Sequence, residues 1–248
     1  MKEYENYIFD LYGTLVDIHT NEKKIAFWKN MSAVFCRYGA DYAPRELRDL
    51  YFGEVDALSE KKKEEGRFIE IDLYEVFHKL YERKGIDADE KTIRETASSF
   101  RTYSTSHLRL YAGAKELLKM LKEKGKRVFL LSNAQELFTL KELKDFGILE
   151  DFDGIFISSA YGFKKPDPFF FDVLIKRYGL NVKESLMIGN DLQSDVQGAD
   201  GVHMDSYYIR SALSSKEENG MKATCCQDHM DLSILKRKIL KSMEESRI

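Results

Sequence analysis

The chain has 248 residues, enough for one sizeable α/β domain or for a core domain with a smaller insert. It is 43% hydrophobic and 33% charged, and a formal net charge of -3 argues against nucleic acid as a partner. Three cysteines without disulfide or metal-site spacing, a polar amino terminus and no apolar run of membrane-spanning length predict a cytoplasmic protein without a membrane partner.

The first predicted element is a buried strand over residues 7–9. Its apolar run stops at Asp10, and Gly13 predicts a tight turn just beyond it. Residues 20–106 then show helical periodicity in four successive stretches, with no convincing strand between them. This pattern predicts a helical bundle inserted after the first strand.

Strands and helices alternate after the insert. Apolar runs predict strands at 127–132, 154–158 and 185–189, a last short strand at 223–226 and an amphipathic terminal helix at 232–243. Such alternation is typical of an α/β fold with a parallel sheet. The carboxyl ends of parallel strands lie along one edge of the sheet, where ligands bind, so we expect the polar residues at these ends to meet.

The polar residues at the strand ends suit nucleophilic attack on an anionic substrate. A carboxylate such as Asp10 can attack phosphorus or an activated carbon through a covalent ester. Thr14 and Ser132 offer hydroxyls, and Lys165 offers a positive charge that offsets repulsion between carboxylate and substrate. The alternative is that these residues are only structural. Asp10, Thr14 and Ser132 would then form turns or cap helices, and Lys165 would project into solvent. For the adjacent Lys164, we expect exposure to solvent.

These residues resemble the motifs of a known superfamily. The run Phe-Asp-Leu-Tyr-Gly-Thr-Leu-Val-Asp at 9–17 looks like the first motif of the haloacid dehalogenase-like hydrolases. Ser132, Lys165 and the pair Asp191 and Asp195 resemble the second, third and fourth motifs, in the same order. Because four motifs recur at four predicted strand ends, the resemblance covers the whole chain.

The resemblance implies an architecture and a mechanism. It implies a Rossmann-like parallel-sheet core made of residues 1–19 and 107–248, with a helical cap domain inserted at residues 20–106. Asp10 would be the nucleophile of a covalent aspartyl intermediate. A small anionic substrate is the implied partner, and the residues expected to bind it are Thr14, Ser132, Asn133 and Lys165.

The resemblance also implies Mg²⁺ as a cofactor. Its ligands would be Asp10, the backbone carbonyl of Tyr12 and Asp191, with Asn190 and Asp195 in supporting positions. In the superfamily the metal-binding aspartate usually follows the glycine of the fourth motif directly, and here Asn190 takes that place. Whether Asn190 or Asp191 faces the metal is therefore open, and Asp195 could instead cap the following helix.

Tyr12 departs from the pattern of the superfamily's phosphatases. They carry a second aspartate two residues beyond the nucleophile, which protonates the leaving group and later activates water. A phenol can donate a proton but is a poor base at neutral pH. The superfamily's 2-haloacid dehalogenases, which need no metal, do have tyrosine there. However, Phe171 stands where they carry a tyrosine, Arg37 is a loose match to their cap arginine, and they lack the acidic pair of the fourth motif.

We therefore rank three hypotheses. A magnesium-dependent hydrolase of small phosphate monoesters comes first, a metal-independent 2-haloacid dehalogenase second, and a ligand-binding relative with weak turnover third. The third is motivated by Tyr12 and Asn190 in place of two acidic residues. The sequence does not identify the substrate, the cap residues that contact it or the oligomeric state.

Overall fold

The computed structural model describes residues 1–63, 66–215 and 222–246. The strands are β1 (Asn6–Phe9), β2 (Val16–Thr20), β3 (Thr105–Leu110), β4 (Arg127–Ser132), β5 (Gly154–Ile157), β6 (Ser185–Gly189), β7 (Asp205–Ile209) and β8 (Cys225–Gln227). The helices are α1 (Ile25–Arg37), α2 (Pro44–Lys61), α3 (Leu73–Glu82), α4 (Glu90–Ser104), α5 (Ala114–Glu123), α6 (Glu136–Phe146), α7 (Pro168–Tyr178), α8 (Gln197–Gly201) and α9 (Leu232–Glu245). None of the helices in these ranges is long and apolar enough to cross a bilayer.

The main sheet has six parallel strands in the order β5-β4-β1-β6-β7-β8 within the described ranges. Helices cover both of its faces, which confirms the predicted α/β fold with a Rossmann-like sheet. β1, β4, β5 and β6 correspond to the four predicted core strands, and β8 to the predicted last short strand. β7 has no counterpart in the sequence prediction.

Strand β1 lies at the centre of the sheet and is fully enclosed. It pairs with β4 on one side and β6 on the other, so that Phe9 lies between Leu130 and Ile188. Tyr7 and Phe9 pack into the hydrophobic cluster under α5 and α9, while Ile8 packs into the cluster under α7. Asp10, which follows β1, is therefore attached to a strand that is paired on both edges and packed on both faces.

The inserted helices α1 to α4 pack around a hydrophobic cluster of their own. Its centre is aromatic: the Tyr51 ring lies 5.2 Å from Trp28 and 5.3 Å from Phe100, and Phe77 lies 5.3 Å from Phe100. All four helices fall inside the range 20–106 that the sequence assigns to the cap domain. The exact division into core and cap domains stays a prediction.

Two features join the helical insert to the sheet domain. The antiparallel pair β2 and β3 carries the chain into and out of the insert, and the sequence analysis predicts neither strand. A second connection is made by the segment 67–70, whose backbone hydrogen-bonds to the loop 162–164 through Glu70 N–H to Gly162 O and Lys164 N–H to Phe68 O, both at 2.9 Å. The insert thus contacts the loop that leads into Lys165.

Candidate active site

Asp10 follows the central strand directly and sits at the carboxyl edge of the sheet. Its backbone N–H donates to the carbonyl of Ile188 at 2.9 Å, which extends the β1–β6 pairing by one residue. The residue is only 7% exposed, so its carboxylate is largely shielded from solvent. The position agrees with the role of a nucleophile presented at a strand end.

Lys165 is the counter-ion of Asp10. Its Nζ lies 2.8 Å from Asp10 Oδ1 and 2.6 Å from Asp195 Oδ1, and the side chain is 2% exposed. Burial lowers the pKa of Lys165, but the two carboxylates outweigh it and raise the pKa above its ordinary value. Lys165 therefore carries a fixed positive charge next to the Asp10 carboxylate.

The side chain of Asn133 fixes the backbone that carries Lys165. Asn133 Nδ2 donates to the Lys165 carbonyl at 2.9 Å, and the Lys165 N–H donates to Asn133 Oδ1 at 2.8 Å. Both ends of the Asn133 amide are thus used to join the end of β4 to the loop after β5. These contacts make Asn133 a residue that positions Lys165, and its expected role in substrate binding stays a prediction.

The hydroxyls of Thr14 and Ser132 also lie close to the Asp10 carboxylate. Thr14 Oγ1 lies 3.2 Å from Asp10 Oδ2, and Ser132 Oγ lies 3.5 Å from Asp10 Oδ1, at the outer limit of a hydrogen bond. The structure thus brings Thr14, Ser132 and Lys165 around Asp10, as the expected meeting of strand ends requires. A bound oxyanion would give each of these hydroxyls a further hydrogen-bond acceptor.

Asn190, and not Asp191, has its side chain beside this group. Asn190 Oδ1 accepts from Thr14 Oγ1 at 3.2 Å, and the residue is buried. The Asp191 carboxylate instead accepts from the backbone N–H groups of Gln193 and Ser194, at 3.0 and 2.7 Å, where it caps the helical turn that starts at Leu192. Of the two residues left open by the sequence, Asn190 is the one whose side chain contacts Thr14 beside Asp10.

Gly13 makes the approach of Asn190 possible. Its φ of +92° is in the region that favours glycine, and a Cβ there would lie 2.5 Å from Asn190 Nδ2. Hydrogen bonds from the N–H groups of Thr14, Leu15 and Val16 to the Leu11 carbonyl close the turn around it. None of these three bonds uses the backbone carbonyl of Tyr12, the predicted metal ligand.

Asp195 is a buried partner of Lys165 and does not cap a helix through its side chain. It is 1% exposed, and its Oδ2 accepts from the Asp191 N–H at 3.0 Å. Burial, together with the charge of Asp10, raises the pKa of Asp195 to about 7, although Lys165 acts in the opposite direction. Asp195 therefore anchors Lys165 and the turn after β6.

The hydroxyl of Tyr12 is engaged away from Asp10. It donates to Glu142 Oε2 on α6 at 2.6 Å and lies 3.1 Å from Thr139 Oγ1. Burial first, and then the charge of Glu142, raise the pKa of the Tyr12 phenol above its ordinary value. This geometry disfavours Tyr12 as the proton donor that the sequence analysis offers.

The sequence analysis misses Arg101, which extends from α4 of the insert to Glu142 of the sheet domain. Arg101 Nε donates to Glu142 Oε1 at 2.6 Å and Nη2 to Oε2 at 3.2 Å, while its guanidinium lies 5.1 Å from the Tyr12 ring. Arg37, the loose candidate for a cap arginine, is exposed at the end of α1. Phe171 is fully buried in the core below the sheet.

A cavity of about 250 Å³ lies between the helical insert and the sheet domain. Its lining residues are Tyr12, Glu22, Tyr51, Leu73, Phe100, Arg101, Ser104, Asn133, Ala134, Gln135, Phe138 and Thr139. A larger groove of about 600 Å³ shares Arg101 and Phe138 with this cavity but is lined otherwise by residues of α4, β3 and α6. Neither space is lined by Asp10 or by its hydrogen-bond partners. The smaller one is lined by Tyr12 and Asn133, which lie close to Asp10 and Ser132 in the chain, and we therefore take it as the candidate substrate cavity.

A sequence model of the haloacid dehalogenase-like hydrolases matches residues 4–203 of the chain. The crystal structure of a HAD phosphatase from Thermococcus onnurineus superimposes with a TM-score of 0.61, covering 98% of this chain and 99% of that one. The two sequences are 21% identical, so this likeness concerns the fold alone.

Two curated relatives are glyceraldehyde 3-phosphate phosphatases. The chain is 30% identical to that of Methanothermobacter thermautotrophicus over 126 residues, which cover 49% of this chain and 56% of the relative. It is 25% identical to that of Pyrococcus furiosus over 210 residues, which cover 85% of this chain and 82% of the relative. The match to the first relative thus spans little more than half of that protein's length.

Proposed function

Because the chain belongs to the haloacid dehalogenase-like hydrolases, we propose that it is a phosphatase of small phosphate monoesters that works through an aspartyl phosphate on Asp10. The main support for the proposal is the set of side chains that surrounds the Asp10 carboxylate. A buried Lys165 at 2.8 Å and the hydroxyls of Thr14 and Ser132 supply positive charge and hydrogen bonds next to a nucleophile that is 7% exposed.

The reaction has two displacements at phosphorus. One oxygen of Asp10 forms a bond to phosphorus while the bond to the alcohol oxygen breaks, and the alcohol leaves once it has gained a proton. Water then attacks the aspartyl phosphate, which releases inorganic phosphate and regenerates the carboxylate. Lys165, Thr14 and Ser132 hold the transferring group in line with Asp10 in both steps.

We infer that Mg²⁺ is the cofactor and that Asp10 and Asn190 hold it, with the Tyr12 carbonyl as a further ligand. Asp10 Oδ2 and Asn190 Oδ1 both lie 3.2 Å from the Thr14 hydroxyl, so two oxygens of the type that Mg²⁺ prefers face the same place. The described residues contain no group of three or more His, Cys, Asp or Glu side chains arranged for a metal. Bound Mg²⁺ would add positive charge next to the phosphate oxygens and orient them.

The missing acid at position 12 limits the proposed phosphatase. Tyr12 donates its hydroxyl hydrogen to Glu142 at 2.6 Å, and its pKa is raised. The proton for the leaving alcohol therefore comes from water, a weaker acid than a positioned carboxyl group. We expect slow turnover with alkyl phosphates and faster turnover where the leaving alcohol is more acidic.

The cavity supports a small substrate. A space of about 250 Å³ is at the low end for ligand pockets, so it suits a tail of a few carbon atoms better than a nucleoside. The relatives are named for glyceraldehyde 3-phosphate, a compound of this size. We therefore infer that small sugar or polyol phosphates are the substrates.

The test is a phosphate-release assay with Mg²⁺ on glyceraldehyde 3-phosphate, glycerol 3-phosphate and a nucleoside monophosphate. Release from the two small esters, lost by at least about a thousandfold in Asp10→Asn, supports the proposal. Mass spectrometry of the acid-quenched wild type should find a phosphorylated peptide that contains residue 10. No phosphate from any ester would contradict it.

The metal assignment has its own pair of variants. Asn190→Asp adds a negative charge to the site and should lower the Mg²⁺ concentration for half-maximal phosphate release by about tenfold, with a matching change in the dissociation constant measured by calorimetry. Asp191→Asn keeps a capping side chain and should leave both values within about twofold. The opposite result would assign the metal to Asp191.

A dehalogenase is the second candidate, and two observations favour it. Tyr12 and Asn190 stand where phosphatases of the superfamily have acidic residues. A halide needs no proton to leave, so the engaged Tyr12 hydroxyl is no disadvantage in that reaction. Metal-independent release of halide from 2-chloropropionate would establish this activity. Neither product, with tight phosphate binding, would indicate a ligand-binding protein.

We also retain the cytoplasm as the proposed location. Cys36, Cys225 and Cys226 are free thiols, which is the state expected in a reducing compartment. The proposed partner is the small anionic substrate. An assay of activity in fractionated cells would test the location.

A further inference from the structure

The Arg101–Glu142 pair separates the candidate substrate cavity from the outer groove. Glu142 is 6% exposed and accepts three hydrogen bonds, two from Arg101 and one from Tyr12. Arg101 lines both spaces, whereas Glu142 lines the outer groove. The carboxylate thus lies behind the cation, on the far side from the substrate.

The charges around the cavity do not favour a second anionic group on the substrate. Arg101 and Glu22 are the charged residues among those that line it. With Glu142 bound to Arg101, one positive and two negative charges face or adjoin the space, a net charge of -1. Because Tyr51, Phe100 and Phe138 form apolar walls, this charge acts in a medium of low polarity.

We propose that Glu142 determines specificity, because it neutralises Arg101 and so makes the cavity select phosphate monoesters whose remaining part carries no negative charge. The inference rests on the proposed phosphatase function and deepens it. Without the Glu142 charge, Arg101 would be free to form the bidentate pair with a substrate carboxylate that it now forms with Glu142.

The experiment compares two esters of equal carbon number. Glycerol 3-phosphate has an uncharged tail, and 3-phosphoglycerate has a carboxylate at the same place. The wild type should hydrolyse glycerol 3-phosphate with the higher kcat/KM. Glu142→Gln keeps the shape and should raise the ratio of kcat/KM for 3-phosphoglycerate over glycerol 3-phosphate by about tenfold, mainly through KM.

Two further variants separate the charge effect from a change in folding. Asp145→Asn removes a carboxylate from the same helix, in the outer groove, and should leave the ratio within about twofold. Arg101→Gln leaves Glu142 unneutralised and should shift the ratio in the opposite direction, by about threefold or more. The double variant Arg101→Gln/Glu142→Gln should lose the gain of Glu142→Gln.

Binding to Asp10→Asn tests the inference apart from turnover. Calorimetry with both esters should show the same changes in relative affinity when the Glu142 and Arg101 substitutions are added. If no ester is hydrolysed but these affinity ratios shift as described, the phosphatase proposal fails and the role of Glu142 stands. A wild type that prefers 3-phosphoglycerate, or an unchanged ratio in both Glu142→Gln and Arg101→Gln, overturns the inference.

Discussion

Replacement of Lys165 by methionine tests the electrostatic centre of the site. Methionine keeps the unbranched stem but removes the ammonium group that lies 2.8 Å from Asp10 and 2.6 Å from Asp195. Both carboxylates stay buried, at 7% and 1% exposure, and would face each other without a cation. Removal of one partner from a buried ion pair typically costs about 3–5 kcal/mol, and we expect a loss of that size in the free energy of unfolding at pH 8.

The loss should depend on pH, and its sign follows from the raised pKa of Asp195. Burial holds this pKa at about 7 in the folded protein, against about 4 for an unfolded aspartate. A carboxyl group with a raised folded pKa stabilises the fold when protonated, and this contribution is lost as pH rises from about 4 to about 7. Without Lys165 the pKa rises further, so the variant should be least affected at pH 5 and most affected at pH 8.

Urea unfolding at pH 5 and pH 8 measures both effects. Lys164→Met removes the adjacent, partly exposed charge and should cost less than about 1 kcal/mol at either pH. Lys165→Met/Asp195→Asn removes the unpaired charge as well and should recover at least half of the loss at pH 8. A loss below about 1 kcal/mol in Lys165→Met, or an equal loss at the two pH values, would refute Lys165 as the counter-ion of this pair.

Three other substitutions test separate parts of the structure. Tyr12→Asp supplies the missing carboxyl group and should raise kcat for phosphate release by at least about tenfold; an unchanged kcat would show that proton donation is not limiting. Gly13→Ala forces a Cβ to within 2.5 Å of Asn190 Nδ2 at a φ of +92° and should cost about 2 kcal/mol in urea unfolding and most of the activity. Asp167→Ala removes an acceptor of the Arg67 side chain and of the Phe68 N–H and should lower the free energy of unfolding by about 2 kcal/mol. Trypsin should then cleave faster after Arg67, because the segment is held less firmly, and an unchanged cleavage rate would contradict this expectation.

The sequence predicts the centre of the sheet well because its strands are short apolar runs that end at polar residues. All of the residues in β1, for example, are buried, and the three that precede Asp10 form an apolar run. Asp10 and Ser132 meet because β1 and β4 are parallel neighbours in the sheet, whereas Lys165 reaches them from the loop after β5, which Asn133 holds in place. Local pattern and overall fold agree at these positions.

Strands with mixed patterns were not predictable in the same way. No residue of β3, Thr-Ser-His-Leu-Arg-Leu, is buried, and the strand pairs with β2, where Asp17 lies opposite Arg109, 92 positions away. β7 begins with Asp205 and Ser206 and has three apolar residues, as β1 does, but no glycine turn marks its end in the sequence. Such strands are specified by their neighbours in the fold.

The roles of Tyr12, Asn133 and Asn190 depend on contacts that spacing does not reveal. Asn133 follows Ser132 in the sequence, yet both ends of its amide bind the Lys165 backbone. Tyr12 donates a hydrogen bond to Glu142, which lies 130 positions away on α6. No local sequence pattern indicates this contact. The sequence narrows the site to a few residues, and the distances then assign what each of them does.

The charges of the site give a physical reason for the proposed Mg²⁺. Asp10 and Asp195 contribute two negative charges and Lys165 one positive charge, so the ionised cluster carries a net charge of -1 before substrate enters. A phosphate dianion is therefore repelled in a buried site where Coulomb forces are weakly screened. Mg²⁺ would reverse the sign of the cluster. Because Asn190 is neutral, it should hold a cation less tightly than an aspartate would. The site with Mg²⁺ bound would, however, be more positive than with an aspartate. We therefore expect weak metal affinity together with a low KM for the phosphate dianion.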